Sequence, residues 1–250
     1  MGAFTRSRHV WDHLMTVSDA TVLLRKRRSL CSSKELEDVA VQQARSEARL
    51  RKGGKWICGR TQKLEKHWVG YLLPGGRWFL DVTRFVHSGI RYADLDSGGS
   101  QWQQLIPPLS DHITFCFSCI EQVADAPALT IHLALALRRQ NPLEKICPDG
   151  RKYPIDEISI WRVSPAYDVD GTISGLKAEG VSHFSRRLPH DLSIKFMKLQ
   201  GPHLICVLRE PLWTCSVIRW AEANGCDDKF LRKVITFPRC NVCLVVILAF

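Results

Sequence analysis

Trp68-Val69-Gly70-Tyr71-Leu72-Leu73-Pro74-Gly75-Gly76-Arg77-Trp78-Phe79-Leu80-Asp81-Val82 is the stretch that decides the fold class. Two apolar, ring-rich runs flank a Pro-Gly-Gly turn. Aromatic and β-branched residues suit a pleated, half-buried surface. Glycine takes positive φ without steric cost, so Pro74 to Gly76 can send the chain back on itself. The stretch therefore predicts a hairpin. Ser88-Gly89 turns again, Ile90-Arg91-Tyr92-Ala93 supplies a third strand, and Asp94-Leu95-Asp96-Ser97-Gly98-Gly99 closes the unit. Three antiparallel strands in so short a span make a meander.

The pattern recurs. Ile158 to Val163 alternates as a strand and runs into Asp168-Val169-Asp170-Gly171. His203 to Leu208 is another strand, and Val217-Ile218-Arg219-Trp220 leads into Ala221-Glu222-Ala223-Asn224-Gly225. An aromatic residue at a strand end, then an acidic or glycine turn, thus appears at Tyr92, Trp161 and Trp220, separated by 69 and 59 residues. A WD-type propeller blade repeats at about 40–45 residues, so loops or irregular blades would have to fill the difference. An unrelated series of hairpins in a β-sandwich fits the same pattern.

Residues 1–66 read differently. Arg8 to Met15 places Val10, Trp11, Leu14 and Met15 on one helical face. Ser32 with Glu35 three residues on is a capping box. Leu36, Val39, Ala40, Ala44 and Ala48 follow as a thin apolar stripe. Glu47 and Arg51 form an i, i+4 pair, and Gly53-Gly54 stops the helix. This lead carries 15 Lys or Arg against 7 Asp or Glu, whereas residues 67–250 carry 20 against 18. The net charge of +10 therefore belongs mainly to the helical lead. Such a region meets nucleic acid, an anionic surface or an acidic partner, or is simply a solvated face.

The 250 residues are 45% hydrophobic, which excludes disorder along the whole length. Met1 to Arg8 holds no apolar core of a secretory signal. Arg6 stands where a myristoylation site needs Ser or Thr. No run approaches the ~18 apolar residues of a membrane span, and Leu244 to Phe250 reads as a buried strand. Ten cysteines without a signal suggest reduced thiols and an intracellular location, cytoplasmic or nuclear. Cys116/Cys119 and Cys240/Cys243 have zinc-knuckle spacing but lie in strand-like surroundings, where i and i+3 face opposite ways. Buried core thiols are the simpler expectation.

At these residues the chain resembles F-box proteins of mushroom-forming (basidiomycete) fungi, which carry a degenerate WD-repeat-like β-propeller behind the F-box. The resemblance runs over roughly residues 8–225. It rests on Arg8-His9-Val10-Trp11, Ser32-Ser33-Lys34-Glu35-Leu36-Glu37, the Leu72-Leu73-Pro74-Gly75-Gly76-Arg77-Trp78 hairpin with Tyr92-Ala93-Asp94-Leu95-Asp96, and Ile158 to Val163. It implies a mainly β fold with an N-terminal α-helical segment. Residues 1–66 would be a basic helical linker, and residues 67–250 an incomplete, open or degenerate propeller of antiparallel meander blades. The family's F-box would precede the Arg8 helix, so docking to the adaptor of a cullin-RING ubiquitin ligase is not expected of this chain. Its length after residue 66 and its apolar ending give the expectation of a shortened product with an exposed, aggregation-prone sheet edge.

No motif for catalysis emerges. Gly171-Thr172-Ile173-Ser174-Gly175 has the wrong spacing for a nucleophile elbow, and Gly53-Gly54-Lys55-Trp56 lacks the leading Gly and the Ser/Thr of a phosphate loop. His9 and His13 share a helix face near Asp12, but Val10 stands where a metalloprotease helix has Glu. Asp94/Asp96 and Asp168/Asp170 are expected to cap turn amides. His132 is expected to be a strand residue facing solvent or a polar partner. The expectation is a non-enzymatic protein-interaction module that receives an unknown protein substrate for a ubiquitin ligase, with no catalytic residue, no cofactor, no metal and no membrane. The alternative is a nucleic-acid or anionic-surface binder that uses Arg25-Lys26-Arg27-Arg28 and Arg49, Arg51, Lys52 and Lys55. The first of these clusters also fits a nuclear import signal.

Overall fold

The structure, a computed structural model, describes residues 8–17, 24, 26–51, 70–82, 89–97, 101–108, 113–124, 126–139, 155–187, 193–209, 213–223, 225–226 and 232–237. Outside the described residues lie Trp68, Val69, Arg25, Lys52, Gly53-Gly54, Lys55, Ser88, Gly98-Gly99, Asn224, the Cys240/Cys243 pair and the Leu244 to Phe250 run. The side chains of Asp12, Glu47, Arg49, Arg51 and Cys116 lie outside them too.

Helix α1 (Arg8–Val17) and helix α2 (Ser33–Arg51) pack on each other. The capping box forms as expected: the Ser32 N–H and hydroxyl donate to Glu35 Oε2 at 2.7 and 2.9 Å, and the Glu35 N–H donates to Ser32 Oγ at 3.3 Å. Met15, Leu24, Cys31 and Leu36 form a small core, with Trp11, Val39 and Ala40 packed against it. The expected stripe is cut short. Leu14 stays 42% exposed, and Ala44 and Ala48 also face solvent. The apolar stripe is buried only in the first turns of α2, because a methyl side chain offers little surface to hold the later ones down.

Strand dominates the remaining described residues, in three sheets. The first joins β1 (Gly70–Leu72), β2 (Trp78–Asp81), β3 (Ile90–Asp94) and β4 (Trp102–Ile106) in chain order. The second joins β5 (Ile113–Gln122), β6 (Ile131–Arg139), β7 (Ile155–Tyr167) and β8 (Ile173–Arg187) in chain order, with the short β12 (Gly225–Cys226) parallel to the edge of β8. The third joins β9 (Ser193–Gln200), β10 (His203–Arg209), β11 (Trp213–Arg219) and β13 (Arg232–Phe237). The first sheet is a four-strand meander in sequence order, the second is such a meander with β12 added at its edge, and the third skips β12 between β11 and β13. No closed barrel or propeller ring is formed by the described residues.

Sequence reading placed three of the first sheet's strands and missed β4, whose Gln103-Gln104 pair breaks the apolar alternation. The hairpin turn itself is as expected. The Leu73 N–H donates to the Trp78 carbonyl at 2.8 Å, the Gly76 N–H to the Leu73 carbonyl at 3.0 Å, and Gly75 and Gly76 have φ of 87° and 72°.

Two compact units share the chain. Unit 1 comprises Met1–Asp111, Gln122–Leu133 and Trp161–Glu179, and unit 2 comprises His112–Glu121, Ala134–Ile160 and Gly180–Phe250. Strands β7 and β8, 13 and 15 residues long, contribute residues to both. In unit 2, Ile194, Met197, Leu199, Leu204, Cys206, Leu208 and Ile218 pack against Ala134, Ala136, Ile158, Ile160 and Phe184 in one core. Ile205, Val207, Cys215 and Val217 form a second cluster, so β10 buries both of its faces. In unit 1, Trp78, Leu80, Ile90, Tyr92, Ile106 and Leu176 are buried.

Gly89 sits at φ 70°, where an added Cβ would meet the Ile106 carbonyl oxygen and the backbone of Pro107. Gly76 has φ 72° with nothing near the same position. Gly76→Ala should therefore cost about 1–2 kcal/mol, the left-handed strain alone. Gly89→Ala should cost about 3 kcal/mol or more, since backbone must move as well. Urea denaturation of the two variants measures the difference, and equal costs would contradict the placement of β4 against Gly89.

Candidate functional site

The site grows from the hairpin turn in unit 1. The register sets Trp78 opposite Asp94, which brings the neighbouring Arg77 side chain onto the Asp94 carboxylate. Arg77 Nε donates to Asp94 Oδ1 at 3.1 Å and Arg77 Nη2 donates to Oδ2 at 2.7 Å. Two-point pairing of this kind is stronger than a single contact and fixes the plane of the guanidinium. Its carbon lies 4.4 Å from the centre of the Trp78 ring, within cation–π range. Trp78 in turn meets Tyr92 edge-on, at 5.6 Å between ring centres. The Tyr92 hydroxyl accepts the Leu176 N–H at 3.1 Å and donates to Gln103 Oε1. A Cβ on Gly175 would collide with that hydroxyl.

A strap from the N-terminal segment forms the opposite wall. Lys26 bridges Thr172 in antiparallel fashion, and the Arg27 N–H donates to the Gly171 carbonyl at 3.0 Å. The Arg27 guanidinium lies 5.0 Å above the Tyr167 ring. Arg8 ties the strap back to α1. Its Nη1 donates to the Cys31 carbonyl at 3.0 Å, and its Nη2 to the carbonyls of Arg28 and Ser29 at 3.1 and 2.9 Å. Lys26 Nζ pairs with Glu35 Oε1 at 2.7 Å.

Between strap and hairpin lies a cavity of about 270 Å³. Leu24, Trp78, Leu129 and Pro165 give it an apolar floor, and Lys26, Arg28, Arg77, Gln42 and Asp96 stand around it. The charges are set by their partners. Hydrogen bonding from Lys26, then from the Ser32 N–H and hydroxyl, lowers Glu35 to about 2, and the same Glu35 contact raises Lys26. Burial works against ionisation of Asp94. The Arg77 hydrogen bonds and the Asp96 N–H outweigh it and hold that carboxyl below its ordinary value of 3.8.

One acid of each turn pair caps an amide as the sequence suggests. Asp94 Oδ1 accepts the Asp96 N–H at 2.9 Å. Asp170 Oδ1 accepts the Thr172 N–H and hydroxyl at 3.0 and 2.7 Å. His9 and His13 lie exposed on α1. His132 is a half-buried residue of β6 whose pKa is lowered by burial and then by Arg162. Cys119 sits in the unit 2 core, where burial pushes its thiol up to about 12. Ser159 Oγ lies 2.9 Å from His183 Nδ1 in unit 2. Among the described residues no carboxylate hydrogen-bonds to that histidine.

Sequence reading named Arg77 and Trp78 for the hairpin and Lys26 and Arg28 for a phosphate contact. It did not bring them together, and it missed Gln42, Tyr167 and the 127–129 segment. The signal that joins Arg77 to Asp94 is the β2–β3 register, which sets Trp78 opposite Asp94 and so puts Arg77 one residue away from it. Nothing local marks the strap. No protein-family model, no curated protein and no solved structure matches the chain.

Because the folded pKa of Asp94 is lowered, its stabilising contribution is present above the ordinary value of 3.8 and is lost as pH falls through the folded value. Asp94→Asn should lower stability at pH 7 by about 1–3 kcal/mol. The gap from the parent should close in urea titrations carried out progressively below pH 4. A gap independent of pH would contradict the ion pair.

Proposed function

We propose that the chain is a protein-interaction module of the kind found in the substrate-receiving part of fungal F-box proteins, built from blade-like β-meanders. The observation that carries this reading is the topology: three successive sheets in each of which four strands lie side by side in the order of the chain, interrupted by β12, which leaves the third to pair with the edge of the second. Four-stranded antiparallel sheets in series are the unit of a β-propeller. From the start of β1 at Gly70 to the start of β5 at Ile113 is 43 residues, a normal blade repeat. The burial of both faces of β10 is what a sheet between two neighbours requires. The long β7 and β8 make the second meander the irregular one, in line with an open or degenerate propeller rather than a regular ring.

Function in such folds lies in the connecting loops. The rim of the unit 1 cavity is made of such loops, with the 73–78 turn, Asp96 and the 127–129 segment all contributing. The polyanion alternative has less support. Lys26 is paired with Glu35 and Arg27 stacks on Tyr167, so two cations of the Arg25 to Arg28 cluster serve the fold. Among the described residues no helix is long and apolar enough to cross a membrane.

Site-specific photo-crosslinking in cells tests the proposal. Crosslinkers placed at Asp96 and Pro127 should capture a discrete polypeptide that accumulates when the proteasome is blocked. A crosslinker at the exposed Lys198 of β9 should not. Crosslinks to nucleic acid, or equal capture from all three positions, would overturn it.

A further inference from the structure

We infer that the unit 1 cavity is a docking pocket for an extended acidic peptide, which inserts one apolar side chain onto Trp78 and Leu129 and sets an adjacent carboxylate on Lys26, displacing Glu35. The inference rests on the interaction-module reading and gives it a ligand class. Size is the first argument. About 270 Å³ is roughly nine times the volume of a liquid water, room for one large side chain and its flanking backbone but not for a folded element. The floor is the second. Trp78, Leu129 and Leu24 are 3%, 4% and 7% exposed, a fixed base that offers one small apolar contact inside a mostly polar lining. Charge is the third: Lys26, Arg28, Arg77 and Asp96 stand around that floor, and of the carboxylates that pair with Lys26 and Arg77 only Glu35 is held on an exposed side chain.

The cations are not equivalent. Arg77 is committed, because two hydrogen bonds from Asp94 and the face of Trp78 hold it. It shapes the wall and contributes field. Lys26 is held by a single carboxylate whose side chain is 47% exposed. Exposed pairs of this kind are weak and readily exchanged. Glu35 has a second task that does not need Lys26, since it holds the Ser32 N–H and hydroxyl at the start of α2. An incoming carboxylate can therefore take Lys26 while the helix cap stays intact. Glu35 then acts as a resident competitor for the pocket's mobile cation.

This arrangement predicts opposite effects for two neighbouring substitutions. Glu35→Gln keeps the cap, because a glutamine oxygen accepts the same hydrogen bonds, but it releases Lys26. It should tighten peptide binding about threefold, whereas Lys26→Gln should weaken it by about the same factor or more. The probe is a fluorescein-labelled peptide with a central leucine flanked by glutamates, titrated by polarisation into the full chain at low salt. Versions with serine for the leucine or lysines for the glutamates should each bind at least about tenfold more weakly.

Three results would overturn the pocket: no saturable binding of the leucine–glutamate peptide, equal binding of its lysine version, or a Glu35→Gln protein that binds no more tightly than the parent. Loss of fold cannot imitate the expected gain in affinity. Failure here with successful rim crosslinks would remove the acidic ligand and leave the interaction module standing. Failure of the crosslinks as well would remove both.

Discussion

The guanidinium of Arg77 is the point on which the described part of unit 1 turns. Asp94 holds it by two hydrogen bonds and the Trp78 ring supports it from below. Each contact is modest in isolation. A charge-assisted hydrogen bond contributes about 1.5–3 kcal/mol and a cation–π contact about 0.5–2 kcal/mol. Their effect comes from location. The pair closes the turn between β1 and β2 against the turn after β3, so it fixes which way both turns face. Trp78, held by the same group, leans on Tyr92, whose hydroxyl reaches Leu176 on β8. Hairpin, meander and the neighbouring strand are thereby joined through one chain of contacts.

The N-terminal segment uses charge in the same way. Arg8 gathers the carbonyls of Arg28, Ser29 and Cys31 around the short 3-10 turn at Arg28–Leu30, where the Arg28 carbonyl also accepts the Cys31 N–H. Arg27 spreads over Tyr167, and Lys26 meets Glu35. Part of the positive surplus of the first 66 residues is therefore spent on holding the strap to the β7–β8 turn. Around the cavity Lys26 and Arg77 are paired with Glu35 and Asp94, and Arg28 and Asp96 complete the charged rim over Leu24, Trp78 and Leu129.

Much of the architecture was legible in the sequence where local chemistry is strong. The Pro-Gly-Gly turn announced the hairpin because only glycine tolerates two successive positive φ values there. Ser32 and Glu35 announced the start of α2 because the capping box is complete within four residues. Strand β4 escaped because its glutamines hide the alternation, and the Ala44–Ala48 part of the stripe misled because alanine fits a helix whether or not it is buried. The site was less legible. Lys26, Gln42, Arg77, Pro127 and Tyr167 are distant in sequence, and only sheet register and the path of the strap bring them together. Spacing from Tyr92 to Trp161 to Trp220 gave no clean repeat because β7 and β8 are twice the ordinary strand length.

The dependence of unit 1 on Arg77 is open to a direct measurement, a double-mutant cycle of Arg77→Ala and Asp94→Ala followed by urea denaturation of the full chain at pH 7. Neither side chain is more than 21% exposed, so water screens the pair only in part. The account predicts a coupling of about 1.5 kcal/mol or more between the two positions. Additivity to within about 0.5 kcal/mol would show that the two side chains act independently, and would contradict it.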